Sequence, residues 1–239
     1  MREATGGKTS KFGLTNNQLK IIAMLSMCLD HIGVQLFPGA LWLRMAGRLA
    51  FPIFAYMIAE GCRYTKNRTR YLLQLAILGV GCQMVFFIAA RDWYQGILLT
   101  FSLSVSVIFA IDAFLKKKNV TRCALMVGVV LAAIFLSVVA PVLFKEIGFR
   151  MDYDFLGVFL PVGVYYAGDK RKKLMVLAIA MAIMSATSKP IQWISMLSVL
   201  LLMLYNGTRG KAKMKYVFYI FYPAHLAIIF LIGLLFGLG

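Results

Sequence analysis

Long apolar segments separated by short polar loops run through almost the whole chain. By hydropathy, nine of these segments predict membrane-spanning helices, although three of them, between residues 154 and 205, are shorter than the ~20 residues that a straight crossing needs. The pattern therefore predicts an all-α, polytopic transmembrane helix bundle of about nine spans, within a range of eight to ten. The predicted spans are residues 20–37, 41–60, 71–90, 96–115, 123–144, 154–168, 174–187, 191–205 and 216–238.

The start of the chain differs from the rest. Residues 1–13 are polar, and we expect them to form a mobile segment ahead of one transmembrane domain over residues 14–239. Thr15 with Gln18 three residues later is typical of a capping box, which predicts that the first helix begins near Asn16. Because the following apolar segment lacks a small-residue cleavage site, we expect a retained helix and not a signal peptide.

Composition and charge agree with a membrane protein. The chain is 61% hydrophobic and 15% charged, with a mean hydropathy of +0.80, far from a soluble domain. Its net charge of +17 comes from clusters in alternate loops, which indicates membrane topology more than nucleic-acid binding. We therefore predict a cytoplasmic N-terminus. The five basic clusters, expected on the cytoplasmic side, are residues 2–20, 63–70, 116–122, 170–173 and 209–215.

The sequence lacks the motifs of several classes of soluble enzyme. The four cysteines, Cys28, Cys62, Cys82 and Cys123, form neither a CxxC pair nor a zinc-like spacing with the two histidines. The chain also lacks a glycine-rich phosphate loop and a GxSxG elbow. We therefore expect free thiols and no metal.

Charged residues inside the first two predicted spans are the main candidates for chemistry. Asp30 and His31 lie in the first span, and Arg44 and Arg48 lie one turn apart in the second. Ionisable residues at such depth are functional by default, and imidazole is the commonest general base. Because Asp30 and His31 point ~100° apart on a helix, we expect Asp30 to pair with an arginine instead of orienting His31. The alternative is that this ion pair only pins the hairpin.

A second histidine lies near the middle of the last predicted span. Pro223 allows a kink beside His225, so His225 is either part of a site wall or a partner in a hydrogen bond between helices. Glu60 and Asp112 lie at predicted cytoplasmic helix ends, where ion pairing with basic loops accounts for them.

These positions together resemble the TraX family, membrane proteins named for pilin acetylation in conjugation. The resemblance covers nearly the whole chain after Leu14. It is carried by residues 19–24 leading to Asp30-His31, by residues 44–54, by Glu60-Gly61, by residues 65–67 with Tyr71, by residues 204–210 and by residues 218–226.

The resemblance implies an acetyl-CoA-dependent N-acetyltransferase of the bacterial inner membrane, loosely related to the transmembrane acyltransferases. The expected donor is the coenzyme A thioester from the cytosol. The expected acceptor is a peptide amine, either a pilin N-terminus or another envelope acceptor, on or near the outer side. Apart from these and the lipid bilayer we expect no nucleic-acid partner, and the oligomeric state stays open.

The resemblance also suggests roles for particular residues. His31 matches the family's histidine in the first helix and is the expected base or nucleophile, so direct transfer and an acetyl-histidine intermediate both stay open. Arg48 and Arg44 would stabilise the oxyanion or hold the donor, with Asp30 balancing their charge and Arg48 favoured as the deeper of the two. Donor binding would also involve Arg209 and His225. The alternatives are an O-acetyltransferase of an envelope glycan or lipid, a small transporter or channel, and a non-catalytic assembly factor.

Overall fold

The computed structural model describes residues 12–211 and 214–237, so the predicted mobile segment lies almost entirely outside the described residues. The described chain is dominated by α-helices, as the sequence predicts. In chain order they are α1 (Asn16–Gln35), α2 (Leu41–Gly47), α3 (Ala50–Tyr64), α4 (Arg68–Ala90), α5 (Ile97–Lys116), α6 (Val120–Ile134), α7 (Ala140–Leu143), α8 (Asp154–Tyr166), α9 (Lys170–Thr187), α10 (Leu197–Met203) and α11 (Lys215–Leu235). A π-helical turn, Phe135–Val139, joins α6 to α7, a 3₁₀ turn, Lys145–Ile147, follows α7, and a 3₁₀ helix, Pro190–Met196, precedes α10.

Several of these helices are long and apolar enough to cross a membrane, which makes the chain a helical membrane protein. Among the described residues there are five such segments, and two shorter apolar ones, Asp154–Tyr166 and Pro190–Met203, accompany them. Helix α1 is not among the five because polar side chains such as Lys20 and Asp30 lower its apolar content. Nine spans and a cytoplasmic N-terminus therefore stay predictions. The five segments are Leu41–Tyr64, Arg68–Ile88, Ile97–Lys116, Val120–Leu143 and Val217–Leu235.

The helices form two compact units. The first unit consists of Met1–Phe54 and Ser185–Gly239, and the second unit is Ala55–Met184. In the first unit α1 packs against α2 and α11, and α2 also contacts the 3₁₀ helix. The prediction of a single domain over residues 14–239 stays a prediction.

The start of α1 is fixed by hydrogen bonds that satisfy its first amides. The predicted capping box is confirmed, because the Thr15 side chain accepts from the Gln18 amide and the Gln18 side chain accepts from the Thr15 amide. Two further amides of the first turn donate to the carbonyls of Thr208 and Arg209, at 2.8 and 3.2 Å. These bonds supply partners that a helix N-terminus otherwise lacks, so α1 begins at Asn16, as predicted.

Two glycines let α1 and α2 approach closely. A Cβ atom at Gly33 would lie 2.9 Å from the Leu43 Cβ, and one at Gly47 would lie 2.3 Å from the Asp30 Cβ. Real Cβ atoms do not come so close, so only glycine fits at this separation of the helices. The contact brings the Asp30 carboxylate directly against the end of α2.

The second predicted span, residues 41–60, is not one continuous helix. It breaks at Arg48 and Leu49, where α2 has ended and α3 has not yet begun. Pro52 explains the break, because it has no N–H to donate to the Arg48 carbonyl four residues earlier. Proline is tolerated in the first turn of a helix, so the helix restarts at Ala50 with Pro52 in its first turn.

In the second unit, α5 packs against α4, α6 and α8. Two of its buried hydroxyls are satisfied within the helix, since Ser102 and Ser104 donate to the carbonyls four residues earlier, at 2.8 and 3.1 Å. These local bonds allow polar side chains to lie in an apolar core. The buried residues of that core are Cys62, Leu75, Val105, Val107, Ile108, Ala133, Met151, Val158 and Val162.

Ion pairs account for the two acidic residues that the sequence assigns to structure. Glu60 and Lys173 form a buried salt bridge. Asp112 accepts from Arg68 at 2.5 Å and from the Tyr165 hydroxyl at 2.7 Å. Both carboxylates are therefore engaged in contacts between helices of the second unit, as predicted.

The all-α prediction misses a small parallel sheet in the second unit. Strand β1 (Tyr94–Gln95) pairs with β2 (Arg150–Met151). The Arg150 guanidinium stabilises this sheet, since it donates to the Asp92 carboxylate at 2.8 Å and lies 5.0 Å from the centre of the Tyr94 ring. Two-residue strands are too short to show a period of two in the sequence, so hydropathy could not reveal them.

The close packing at Gly47 leads to a stability prediction. We expect Gly47→Ala to lower the melting temperature of the detergent-purified protein by several degrees. The added methyl group would overpack the contact, and overpacking lowers the free energy of unfolding by about 1–3 kcal/mol. Gly128→Ala in α6 is the matched control, since nothing lies within 4 Å of a Cβ there. That variant should melt at the parent temperature or slightly above it. Equal melting of the two variants would contradict the close approach of α1 and α2.

The charge pattern leads to a prediction of sidedness. Lys66, between α3 and α4, and Glu146, after α7, are both exposed and lie in loops that are predicted to face opposite sides of the membrane. In a cysteine-free background, a membrane-impermeant maleimide applied to intact cells should label Glu146→Cys and not Lys66→Cys. After cell lysis both should react. The reverse labelling in intact cells would invert the predicted topology.

Candidate active site

The first unit brings together the residues that the sequence singled out for chemistry. Asp30 and His31 come from the C-terminal part of α1, Arg44 from α2, Arg48 from the break that follows α2, and His225 from α11. They form two contacts. In one the Asp30 carboxylate faces two guanidiniums, and in the other the two imidazoles face each other. The contacts are adjacent because Asp30 and His31 are neighbours in the chain. The predicted meeting of an acid, an imidazole and two arginines is therefore confirmed as an arrangement.

A single oxygen of Asp30 faces both arginines. Asp30 Oδ1 lies 2.7 Å from Arg48 Nη2 and 3.1 Å from Arg44 Nε. The bond from Arg48 is a well-formed hydrogen bond, whereas Arg44 Nε is at ion-pair distance without hydrogen-bond alignment. The prediction that Asp30 pairs with an arginine instead of orienting His31 is confirmed.

Arg48 is held from several directions. Besides Asp30, its guanidinium donates from Nη1 to the side-chain oxygen of Gln192, at 3.3 Å, and from Nε to the Arg44 carbonyl, at 3.4 Å. Only 13% of its side chain is exposed. Arg48 therefore ties α1, the end of α2 and the 3₁₀ helix together.

Sequence reasoning missed Gln192. It is 5% exposed and lies 144 residues beyond Arg48 in the chain. A signal was present, because an uncharged amide within the apolar segment 191–205 needs a buried polar partner. Nothing in the sequence indicated which residue that partner would be.

Arg44 is the more open of the two guanidiniums. A third of its side chain, 33%, is exposed, and its methylene carbons run over Gly33, where a Cβ atom would lie 3.3 Å from Arg44 Cδ. Its terminal nitrogens form no hydrogen bond with any residue that the structure describes. The site therefore contains one guanidinium that is fully engaged and one whose terminal nitrogens are available.

The two histidines contact each other directly. His31 Nδ1 and His225 Nε2 are 3.1 Å apart, and the other ring nitrogen of His225, Nδ1, lies 2.8 Å from the Phe221 carbonyl oxygen. Sequence reasoning offered His225 as a site wall or as an interhelical hydrogen-bond partner, and the structure shows the second arrangement. Both of its ring nitrogens are engaged within the protein, so donor binding through them stays only a prediction.

The charges around His31 do not balance. The carboxylate of Asp30 and the guanidiniums of Arg44 and Arg48 all act electrostatically on the His31 ring. One negative and two positive charges leave one excess positive charge beside an imidazole that is only partly buried. Such a site favours a ligand or transition state that carries negative charge.

Arg209 lies away from this cluster, at the N-terminal end of α1. Its carbonyl accepts from the Asn17 amide, and its exposed side chain repels the Lys20 ammonium electrostatically. The Lys20 ammonium lies 5.0 Å from the centre of the Phe218 ring. Within the described part of the chain neither cation has a carboxylate partner, so this end of α1 carries two uncompensated positive charges.

Known proteins resemble the chain over most of its length. The probable fimbrial assembly protein FimC, serogroup H1, of Dichelobacter nodosus is 26% identical over 236 residues, which cover 89% of this chain and 93% of that protein. A protein named TraX from Escherichia coli is 24% identical over 226 residues, covering 90% and 86% of the two chains. Another protein named TraX, from Escherichia coli strain K12, is 32% identical over 96 residues, or 38% of this chain.

No solved structure matches the chain significantly. The family described as TraX protein matches residues 15–233, a range that contains every residue of the candidate site. The chain therefore belongs to the TraX family.

Proposed function

We propose that this protein is an integral membrane acetyltransferase. In this proposal it moves an acetyl group from cytosolic acetyl-CoA to an amine on or near the outer side of the bacterial inner membrane. The observation that supports it best is the partly buried His31, hydrogen-bonded to His225 and placed beside an excess positive charge. An imidazole can take a proton from an attacking nucleophile, and a fixed cation stabilises the oxyanion that forms.

The reaction assigns one step to each group. The acceptor nitrogen attacks the thioester carbonyl carbon, and His31 takes the proton that the nitrogen loses. The carbonyl oxygen becomes negative in the tetrahedral intermediate and is stabilised by a guanidinium. The carbon–sulfur bond then breaks, the coenzyme A thiolate leaves, and the proton on His31 passes to it. Transfer through an acetyl-histidine uses the same groups in two steps and is the alternative course.

Arg44 suits the oxyanion better than Arg48 does. The Arg48 guanidinium already donates to three oxygens of the protein, whereas the terminal nitrogens of Arg44 have no such partner in the described structure. The sequence favoured Arg48 because of its depth. In our proposal Arg48 places Asp30 and the 3₁₀ helix, and Arg44 faces the reacting thioester.

The other end of α1 suits the phosphates of the donor. Among the described residues Lys20 and Arg209 lie there without carboxylate partners, and clustered cations attract phosphate. Lys20 lies eleven residues before His31, which is roughly 16 Å along a helix. An extended pantetheine arm spans a comparable length, so phosphates near Lys20 would let the thioester reach His31.

The relatives suggest the acceptor. One of them is named as a probable fimbrial assembly protein, and fimbriae are built from protein subunits with amino groups. We therefore propose a role in pilus assembly, with a pilus subunit amine as the acceptor.

Of the predictions that follow from the proposed function, the first concerns the base. We expect His31→Asn to lower acetyl transfer by about 10²- to 10⁴-fold, since the amide has a similar shape but cannot take up a proton. Transfer is measured with radiolabelled acetyl-CoA and purified protein in nanodiscs. Coenzyme A should still raise the melting temperature of the variant, because its phosphates are bound at the other end of α1. Transfer within a few-fold of the parent value would remove His31 from the mechanism.

The same thermal-shift measurement separates the proposal from its rivals. A transporter of ions or an assembly factor without catalytic activity should show no shift with coenzyme A. A coenzyme A shift without acetyl transfer to any amine, together with transfer to an envelope glycan, would favour the O-acetyltransferase.

The second prediction separates the two arginines. We expect Arg44→Lys to lower acetyl transfer by about 10²-fold or more while the melting temperature stays near that of the parent, because a flexible ammonium does not reproduce a planar guanidinium. The matched variant Arg48→Lys should lower the melting temperature, because lysine cannot bridge Asp30 and Gln192 together. If acetyl transfer is unchanged in Arg44→Lys but falls steeply in a stably folded Arg48→Lys, then Arg48 and not Arg44 has the catalytic role.

A further inference from the structure

We infer that His225 is a positioning residue that holds His31 in its Nδ1–H tautomer, so that Nε2 is the nitrogen of His31 that takes the acceptor's proton. The part of this inference that concerns the acceptor amine rests on the proposed function. The tautomer itself follows from hydrogen-bonding partners alone. It assigns a role to His225 other than donor binding.

The positions of the protons follow from the chain of acceptors. The Phe221 carbonyl can only accept, so the His225 nitrogen that faces it at 2.8 Å, Nδ1, carries a proton. A neutral His225 then has a lone pair on Nε2. That nitrogen lies 3.1 Å from His31 Nδ1, so His31 must donate there. A neutral His31 is therefore protonated on Nδ1 and has its lone pair on Nε2.

His225 is rigid enough to impose this choice. Its ring is stacked on the Phe221 ring, with centres 4.5 Å apart and an angle of 6° between the planes, and the edge of the Tyr222 ring packs against it. Only 5% of the residue is exposed. The ring is thus held by two aromatic side chains and by a carbonyl of its own helix.

Nε2 is the ring nitrogen of His31 that is left for a substrate, because Nδ1 faces His225. His31 is only partly buried, and its Nε2 forms no hydrogen bond within the described part of the chain. The carbonyl of Met27, one turn earlier in α1, also interacts with the His31 ring. It is the other group on the protein that could set the tautomer, and the experiment has to distinguish it from His225.

The chain contains two histidines, so histidine labelled with nitrogen-15 in the ring reports on these two rings and nothing else. We would record the ring nitrogens of the full-length protein in lipid bilayers by solid-state NMR near neutral pH, and assign the spectra with His31→Asn. Both rings should be protonated on Nδ1 and unprotonated on Nε2. His31 protonated on Nε2 in the parent protein would overturn the inference, whatever the protein catalyses.

Two substitutions at position 225 test which group sets the tautomer. His225→Gln keeps an acceptor oxygen near the position of Nε2, and His225→Leu removes it. We expect His31 to stay protonated on Nδ1 in His225→Gln and to change to Nε2–H in His225→Leu. A His31 that keeps Nδ1–H in a folded His225→Leu would assign the tautomer to the Met27 carbonyl and overturn the inference.

The rate of acetyl transfer should depend on the tautomer of His31. We expect His225→Leu to lower kcat at least about 100-fold and His225→Gln to stay within about tenfold of the parent, with the coenzyme A thermal shift kept in both. Equal losses in the two variants would contradict a positioning role. If the parent shows the expected tautomer but transfers no acetyl group, the proposed function fails and the assignment of the tautomer stands.

Discussion

The contact of one carboxylate with two arginines is the interaction on which the first unit depends. In an apolar surrounding a guanidinium stays charged and must find a compensating partner. Asp30 faces both Arg48 and Arg44 and compensates one of their two charges, and glycine at position 47 allows it to come close enough. Through Arg48 the same interaction reaches Gln192 and so fixes the 3₁₀ helix against α2.

The ion pair and the histidine pair use two different faces of one helix. Because adjacent residues point ~100° apart on a helix, Asp30 can face α2 while His31 faces α11. Helix α1 therefore joins an ion-pair contact on one face to a hydrogen bond between histidines on another. This division lets the site hold permanent charges next to an imidazole that is not tied into an ion pair.

The parts of this arrangement that depend on local rules could be predicted from the sequence. The capping box at Thr15 and the pairing of Asp30 with an arginine follow from spacing and from the need to compensate charge. The break in the helix before Ala50 could also have been predicted, since Pro52 cannot donate to the Arg48 carbonyl. It was missed because a hydropathy average over the whole segment does not respond to a single proline. Contacts between distant segments were not readable: Gln192 is 144 residues from Arg48, and His225 is 194 residues from His31.

The balance of charge supports the proposal that this cluster does more than hold two helices together. A hairpin held by an ion pair needs one cation for one carboxylate, and Arg48 alone, with its bonds to Asp30 and Gln192, supplies it. Arg44 adds a second positive charge that the described structure does not compensate, and charge in an apolar unit is unfavourable unless it is used. Its methylene carbons are packed over Gly33, so its position is specified by the helix contact. In the proposed function, a second guanidinium placed in this way, next to a histidine whose Nε2 has no hydrogen bond within the described residues, would stabilise a transient anion, which simple packing does not require.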